Sequence, residues 1–400
     1  MIKKTSILLI LIFLTGLLGG CWDRRELAEL AIVLGAGVDR TSEGRIRLTV
    51  QIARPSAFFA PGGGGGGGGG EAPGSWVVWA EGETIEDAGR HLTLKVPREI
   101  YWGHSIILVI GEDMARKGTR LVTDFFHRNR QPRETTWLMV AKGEAKDFLE
   151  AYSALEKTSA QAAGFLARMK IGYSVQSREF AEMLASKGVQ PVATRVEVKR
   201  AGITPGPGGE KEPSKQKQVV LTGVAVFRED KLIGWLDENE TRGLLWLKGE
   251  VIRRDVVVVP TPGEPAAEAS IKIRRAKTTI MPDYDGARPR FNVIIEAEGD
   301  MLEQQSREDL ATPEKIKALE GAMAGEIRKK ATGALEKAQR VYGVDIFGFG
   351  DAFHRKYKKE WRKLKNRWDR EFTRAEVNIS VKARVRDTGL LTRQESAPEE

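Results

Sequence analysis

The residue with the clearest chemical role is Cys21, the one cysteine in a chain of 400 residues. A lone thiol cannot form a disulfide within the chain or a metal site built from several thiolates. Cys21 follows Leu18-Gly19-Gly20, an aliphatic residue and two small ones, which together match a bacterial lipobox. Small residues let a peptidase approach the backbone, and the thiolate is the nucleophile that accepts a diacylglyceryl group. We therefore predict that Cys21 is a lipid-attachment residue.

The residues before Cys21 have the composition of a signal peptide. Lys3 and Lys4 form a short positive segment, and an apolar run extends from Ile7 to Leu18. That run is shorter than the ~20 residues that a helix needs to cross a membrane. We expect residues 1–20 to be a cleaved lipoprotein signal peptide, after which two or three acyl chains on Cys21 anchor the mature chain to lipid.

The other residue types do not form a recognisable active site. The four histidines lie far apart and without a cysteine partner, whereas a zinc site needs three or four such ligands, so no metal is expected. Gly35-Ala36-Gly37 precedes a second strand, and Gly348-Phe349-Gly350 has Phe353 where a third glycine belongs, so neither predicts a dinucleotide site. No pair of carboxylates can be assigned to acid–base chemistry. We expect no catalytic residue and no cofactor.

A strongly basic segment near the C-terminus is the best candidate for an interaction surface. Apolar residues at spacings of 4, 4, 3 and 4 predict one amphipathic helix from Asp351 to Phe372. Nine Lys or Arg and four Asp or Glu occupy its other faces. The charges either face solvent or contact anionic lipid or an acidic partner. Nucleic acid is not expected as a partner on the outer face of a membrane. The candidate surface consists of Arg362, Lys363 and Arg367.

Interleaved strands and helices must position these residues. Hydrophobic content of 41% and charged content of 30% are typical of a globular protein. Ile46, Leu48, Val50 and Ile52 alternate as in a half-buried strand, and Thr312 with Pro313 predicts the start of a long helix. The alternation of elements through about residue 200 indicates an α+β or α/β fold.

Two low-complexity segments suggest how the chain is divided. Nine consecutive glycines, Gly62 to Gly70, predict a flexible loop at 61–74, and a segment rich in Pro, Gly and Lys predicts a linker at 201–218. We therefore expect an N-terminal domain at 21–200 and a C-terminal domain at 219–395.

Several motifs resemble the Ger(x)C spore germination lipoproteins, the C subunits of nutrient germinant receptors. The N-terminal motifs are Cys21-Trp22-Asp23, Ile100-Tyr101-Trp102-Gly103-His104 and Asp124-Phe125-Phe126-His127-Arg128. The C-terminal motifs are Thr222-Gly223-Val224-Ala225-Val226-Phe227, Glu240-Thr241-Arg242-Gly243 and Asp345-Ile346-Phe347-Gly348-Phe349-Gly350. The resemblance covers nearly the whole mature chain, apart from the glycine run and the linker.

The resemblance implies more than the residues alone predict. The family fold is α+β, with three domains of mixed or antiparallel sheets flanked by helices, and the family has no known catalytic activity. Its members are acylated at the lipobox cysteine, here Cys21, and lie on the outer face of the spore's inner membrane, which is the cytoplasmic membrane of the cell. There they assemble with membrane-embedded A and B subunits to initiate germination.

Two other classes of protein also fit a lipid anchor on a globular body. An extracellular solute-binding lipoprotein would have two lobes and would bind a ligand by itself. An anchored hydrolase acting on spore or wall polymer would lose its turnover when a single carboxylate was changed.

Overall fold

The computed structural model describes residues 26–55, 74–151, 153, 155–200, 217–251, 255–306 and 309–388. The predicted signal peptide, Cys21, nearly all of the predicted glycine loop and residues 201–216 of the predicted linker lie outside the described residues. The predicted lipid attachment and the predicted mobility of the loop therefore stay predictions.

A mixed sheet of ten strands forms the first part of the molecule. Its main path runs in the order β10-β9-β8-β6-β5-β1-β2-β3, with β4 paired to β1 and β7 paired to β6. The strands are β1 (Leu30–Arg40), β2 (Ile46–Ala53), β3 (Ser75–Gly82), β4 (Glu99–Tyr101), β5 (Ile107–Ile110), β6 (Trp137–Ala141), β7 (Val175–Gln176), β8 (Val192–Arg200), β9 (Lys217–Arg228) and β10 (Lys231–Leu236).

Helices cover both faces of this sheet. They are α1 (Ile85–Thr93), α2 (Glu112–Lys117), α3 (Arg120–Arg128), α4 (Ala145–Glu150), α5 (Ser159–Met169) and α6 (Ser177–Ala185). The central strands β1, β5, β6 and β8 are parallel to one another, and β5 is buried along its whole length. An uninterrupted apolar run is what a parallel strand covered on both faces requires.

Strand β2 shows why the alternating pattern was informative. Ile46, Leu48, Val50 and Ile52 are all buried, as predicted. The opposite face of β2 is also covered, because the Nε2 of Gln51 donates to the Leu149 carbonyl at 2.8 Å. A buried amide needs such a partner, and here it fastens α4 to the sheet.

The end of the predicted linker, from Lys217, belongs to the first sheet. Strand β9 begins at Lys217, inside the predicted linker 201–218, and pairs antiparallel with β8 from Val192↔Val226 to Arg200↔Lys217. Strands β9 and β10 therefore extend the sheet whose other strands come from the N-terminal half. The domain bounds remain a prediction, but the sheet is continuous across the predicted division.

The second part of the molecule is a sheet of four long strands with helices packed against it. Its order is β11-β12-β13-β14, with β14 parallel to β13 and the other pairs antiparallel. The strands are β11 (Val256–Thr261), β12 (Glu264–Tyr284), β13 (Pro289–Gln304) and β14 (Glu376–Asp387). The helices between them and before them include α7 (Glu238–Lys248) and α8 (Pro313–Glu336).

Helix α8 confirms the predicted long helix. Thr312 is its N-cap residue and Pro313 is in the first turn, where proline's missing N–H costs nothing. Leu319, Met323 and Ile327 are buried against the second sheet's core. The two sheets, with helices packed on them, make the fold α+β, as the resemblance implied. No helix within the described ranges is both long and apolar enough to cross a membrane.

Candidate functional site

The basic segment folds as three short helices, so the prediction of one helix from Asp351 to Phe372 is wrong. The helices are α9 (Phe349–Lys356), α10 (Lys358–Leu364) and α11 (Trp368–Arg374), with a 3-10 turn at Lys365–Arg367 between the last two. Tyr357, at φ −118° and ψ 61°, interrupts the helical backbone between α9 and α10. These breaks redirect the chain, so that aromatic residues from all three helices reach one core.

That core is aromatic and rests on strand β13. Phe353, Trp361, Leu364 and Trp368 of the predicted apolar stripe are buried, and Tyr357 is half-buried. The ring of Phe291 on β13 lies 6.4 Å from the ring of Trp368 and 4.8 Å from that of Phe349, centroid to centroid. Such ring pairs stabilise a core beyond the area that they bury. The apolar stripe therefore packs against the second sheet.

A buried carboxylate joins two of the three helices. The Oδ1 of Asp345 accepts hydrogen bonds from the backbone N–H groups of Phe347 and Gly348, each at 3.0 Å. Its Oδ2 accepts from the N–H of Gly350 at 2.8 Å and from the indole Nε1 of Trp368 at 2.9 Å. Asp345 thereby links the start of α9 to the start of α11.

The environment of Asp345 favours its neutral form. Burial raises the pKa of this carboxyl from 3.8 to about 6, although the Trp368 indole and the backbone N–H groups act in the opposite direction. Its four hydrogen-bond partners are all donors fixed by the fold, and the side chain is fully buried, so it is not placed to exchange a proton with a substrate. Asp345 is a structural residue.

The close approach at Gly350 explains the glycine pattern that resembled a dinucleotide motif. A Cβ atom on Gly350 would lie 2.6 Å from the Cα of Gly188 and from the Nε1 of Trp368. Gly348 has a φ of +85°, a conformation that glycine adopts without strain. Both glycines are therefore explained by a tight turn.

The exposed side of the three helices carries the predicted cations. Arg362, Lys363 and Arg367 are all exposed, and we call these three residues the basic surface. Arg367 forms an ion pair with Glu371 at 2.8 Å. Over the described ranges, Arg362 and Lys363 have neither an ion pair nor a hydrogen bond. The fold therefore brings the predicted residues to one surface, with two of the three charges uncompensated.

The basic surface is fixed relative to the first sheet. The Nε2 of Gln190, just before β8, donates to the Oδ2 of Asp369 on α11 at 3.3 Å. Burial raises the pKa of Asp369. The same glutamine accepts from the backbone N–H of Glu229 at 2.7 Å. Gln190 thus ties α11 to the turn between β9 and β10.

Two of the histidines have partners within the fold. The Nε2 of His127 lies 2.9 Å from the Oγ of Ser177, and the His354 ring stacks on Trp361 with centroids 5.4 Å apart. Across the described residues, no three His, Cys, Asp or Glu side chains are grouped as metal ligands. These histidines have ordinary packing and hydrogen-bond partners.

A second carboxyl with a strongly raised pKa is also structural. Burial raises the pKa of Asp39 from 3.8 to about 6. Its two oxygens accept from the backbone N–H groups of Ala145 at 2.7 Å and Lys146 at 3.0 Å. The carboxylate therefore satisfies the free N–H groups at the start of α4, where the helix dipole also favours negative charge.

A polar cleft of about 710 Å³ lies between α6 and the loop before α9. Its walls carry both signs of charge, and Lys248 in the wall pairs with Glu250 at 3.5 Å. The buried Oγ of Ser174 has no hydrogen-bond partner in the part of the chain that the structure describes. The cleft is large enough for a small polar molecule, yet it brings together none of the predicted residues.

The sequence did not predict the structural role of Asp345, although Asp345 begins one of the family motifs. The detectable signal was local, since an Asp followed at the second and third positions by turn residues forms a hydrogen-bonded turn. The partner that makes Asp345 important, Trp368, is 23 residues away, and its distance from Asp345 depends on the two unpredicted helix breaks.

Comparisons with known proteins agree with this architecture. Residues 23–198 match the family "Spore germination protein N-terminal domain", and residues 222–389 match "Spore germination B3/GerAC like, C-terminal". The crystal structure of the GerBC protein has the same fold with a TM-score of 0.56 at 19% identity, covering 91% of this chain and 99% of that one.

Individual relatives match over almost their whole length. Spore germination protein KC of Bacillus subtilis (strain 168) is 28% identical over 98% of this chain and 97% of its own. Spore germination protein B3 of the same organism is 22% identical over 97% of this chain and 99% of its own. The role of this chain is therefore in spore germination, and the chain belongs to the Ger(x)C family of spore germination proteins.

Proposed function

We propose that this chain is the lipid-anchored C subunit of a nutrient germinant receptor, and that its work is assembly and signalling and not catalysis. In this proposal acylated Cys21 holds the chain on the outer face of the spore's inner membrane, where it assembles with the A and B membrane subunits. The observation that carries the proposal is a lipobox placed just before a body that matches this family from residue 23 to residue 389.

The basic surface supplies a site for the assembly. Cations that have no partner among the described residues attract anionic groups of another molecule, through contacts that fall off within a Debye length. Arg362 and Lys363 protrude from a rigid aromatic core, so that little ordering is needed when a partner binds. We assign this surface to an acidic region of a partner subunit, or to the lipid headgroups around it.

The test compares spores that carry the wild-type gene, no gene or Cys21→Ala. The substitution removes the acylated thiol and leaves the described fold untouched, because Cys21 lies outside it. We expect the variant chain to leave the membrane fraction. We also expect germination, followed as loss of optical density, to fall to the level of the deletion strain for one class of nutrient.

The controls separate anchoring from signalling. A non-nutrient trigger should act normally on all three strains, because it does not need the receptor. Retention of Cys21→Ala chains in membranes at the wild-type level would contradict lipid anchoring. Normal germination of the deletion strain with every nutrient would contradict the receptor role, and would favour a solute-binding lipoprotein with the cleft beside Ser174 as its site.

A further inference from the structure

Four segments of the chain meet around a cleft of about 900 Å³ at one end of the first sheet. The segments are the turn at Leu27–Glu29 before β1, one face of α1, residues 96–102 around β4, and the C-terminal part of α3. Ala28, Thr93 and Phe125 each contribute to its wall. The parallel strands β1, β5, β6 and β8 all begin at this end of the sheet.

Exposed leucines surround this cleft. Leu27 is 70% exposed, Leu94 79% and Leu121 65%. Leu27 adjoins Ala28 of the wall, Leu94 adjoins Thr93, and Leu121 precedes Phe125 by one helical turn and so lies on the same side of α3. We call Leu27, Leu94 and Leu121 the leucine rim. Apolar side chains that cluster on a surface mark protein or membrane contact sites.

Cations accompany the leucines. Arg90 and Arg98 are exposed residues of the cleft wall, and Arg120 is exposed next to Leu121. Carboxylates are also present, at Glu29, Glu86 and Glu99, so the end of the sheet is close to neutral and not strongly basic. Leucines with arginines beside them are typical of segments that lie at the boundary between headgroups and acyl chains.

The position of Cys21 indicates what the leucine rim contacts. Leu27 is six positions after Cys21, so an extended chain holds Leu27 within about 22 Å of the acylated cysteine. A globular body of this size is roughly 50 Å across. The end of the sheet that carries the leucine rim therefore stays close to any membrane that holds Cys21, whereas the opposite end can lie far from it.

We infer that the leucine rim rests on the lipid bilayer that carries the anchor, and so fixes the orientation of the body on the membrane. The inference relies on the proposed acylation of Cys21 and adds a second, non-covalent contact to it. An anchor alone would leave the body free to rotate about its tether. With the rim seated in the lipid surface, the same side of the body would always face neighbouring membrane subunits.

The single cysteine makes a direct test possible. Acylation would occupy Cys21, so that Leu94→Cys gives the full-length chain one free thiol, which can carry an environment-sensitive fluorophore. The matched control is Leu302→Cys on β13, where the leucine is 63% exposed. Acylated protein is purified and reconstituted in vesicles of phosphatidylcholine and phosphatidylglycerol, with no other protein present.

If the inference is correct, the Leu94 probe shifts to the blue and is protected several-fold from a water-soluble quencher, while the Leu302 probe remains in water. Equal quenching of the two probes in protein that floats with the vesicles would overturn the inference and leave the anchor intact. Protection of Leu94 that appears only in native spore membranes would also overturn it, because the rim would then contact a protein.

The unsubstituted chain distinguishes a failure of the anchor. Protein that is acylated takes up no thiol label and floats with the vesicles. Labelling of Cys21, together with failure to float, would overturn both the proposed anchoring and the inference that depends on it.

Discussion

The hydrogen bond between Trp368 and Asp345 is the contact whose removal can be predicted in most detail. Trp368→Phe keeps an aromatic ring in the core but deletes the indole N–H, which donates to the Oδ2 of Asp345 at 2.9 Å. A hydrogen bond to a charged group contributes roughly 1.5–3 kcal/mol. The smaller ring also loses packing contacts, so at neutral pH we expect the unfolding free energy to fall by more than the hydrogen bond alone contributes.

Trp361→Phe measures the packing loss separately. Trp361 is 5% exposed, against 2% for Trp368, and lies in the same aromatic cluster. Within the described part of the chain its indole N–H makes no hydrogen bond. At pH 7.5 we therefore expect Trp368→Phe to cost roughly 1.5–3 kcal/mol more than Trp361→Phe.

The pH dependence is the distinguishing feature. The pKa of Asp345 is raised in the folded state to about 6, so the neutral carboxyl is favoured there. The stability that this group contributes is complete below its unfolded pKa and is lost as pH rises through about 6. The Trp368 hydrogen bond lowers this pKa. Without it the pKa rises further, and at pH values above the pKa each added pKa unit lowers the unfolding free energy by about 1.4 kcal/mol.

Urea unfolding at pH 5.0, 6.0 and 7.5, followed by circular dichroism, tests these expectations. The destabilisation by Trp368→Phe should shrink on acidification, while that by Trp361→Phe should stay constant. The raised pKa of Asp39 is common to all variants and cancels from the comparison. Equal losses for the two variants, or a loss for Trp368→Phe that does not change with pH, would refute the role assigned to Asp345.

Two further substitutions test the same region by independent routes. Gly350→Ala places a Cβ 2.6 Å from Gly188 and should lower the unfolding free energy by about 1–3 kcal/mol or more. Its control is Gly333→Ala in α8, where a Cβ meets nothing within 4 Å; this change should raise the unfolding free energy by roughly 0.5–1 kcal/mol. Thermal unfolding measures both changes, and a Gly350→Ala chain as stable as the wild type would contradict the close packing. Reversal of all three charges of the basic surface to Glu should leave the unfolding free energy within about 1 kcal/mol but reduce co-purification of the A and B subunits from solubilised spore membranes. Its control is reversal of three exposed cations on α8, namely Lys317, Arg328 and Lys329; equal co-purification from both variants would show that the basic surface only faces solvent.

Local patterns predicted the elements whose burial follows one simple period. The alternation along β2 and the Thr312-Pro313 start of α8 needed only the pleat of a strand and the chemistry of a first helical turn. The apolar spacing from Phe353 to Trp368 predicted which residues are buried, because any arrangement of these helices on β13 would bury the same aromatics.

Features that depend on distant partners could not be predicted in this way. The break at Tyr357 is not visible in the spacing, because five apolar residues at intervals of three and four suit an unbroken helix equally well. Likewise, the composition of 201–218 is that of a linker, and only the pairing of β8 with β9 shows that the two strands on either side of it share one sheet.

The hairpin formed by β8 and β9 has a consequence for exchanging parts between relatives. A chimera joined at the predicted linker would pair β8 of one protein with β9 of another, along nine residues of β8. Side chains that evolved against different neighbours would then meet across a ladder inside the sheet, where register tolerates little error. A junction between β10, which ends at Leu236, and β11, which begins at Val256, would keep that ladder intact. Segments to be exchanged between relatives are therefore better chosen by the bounds of the sheet than by the composition of the chain.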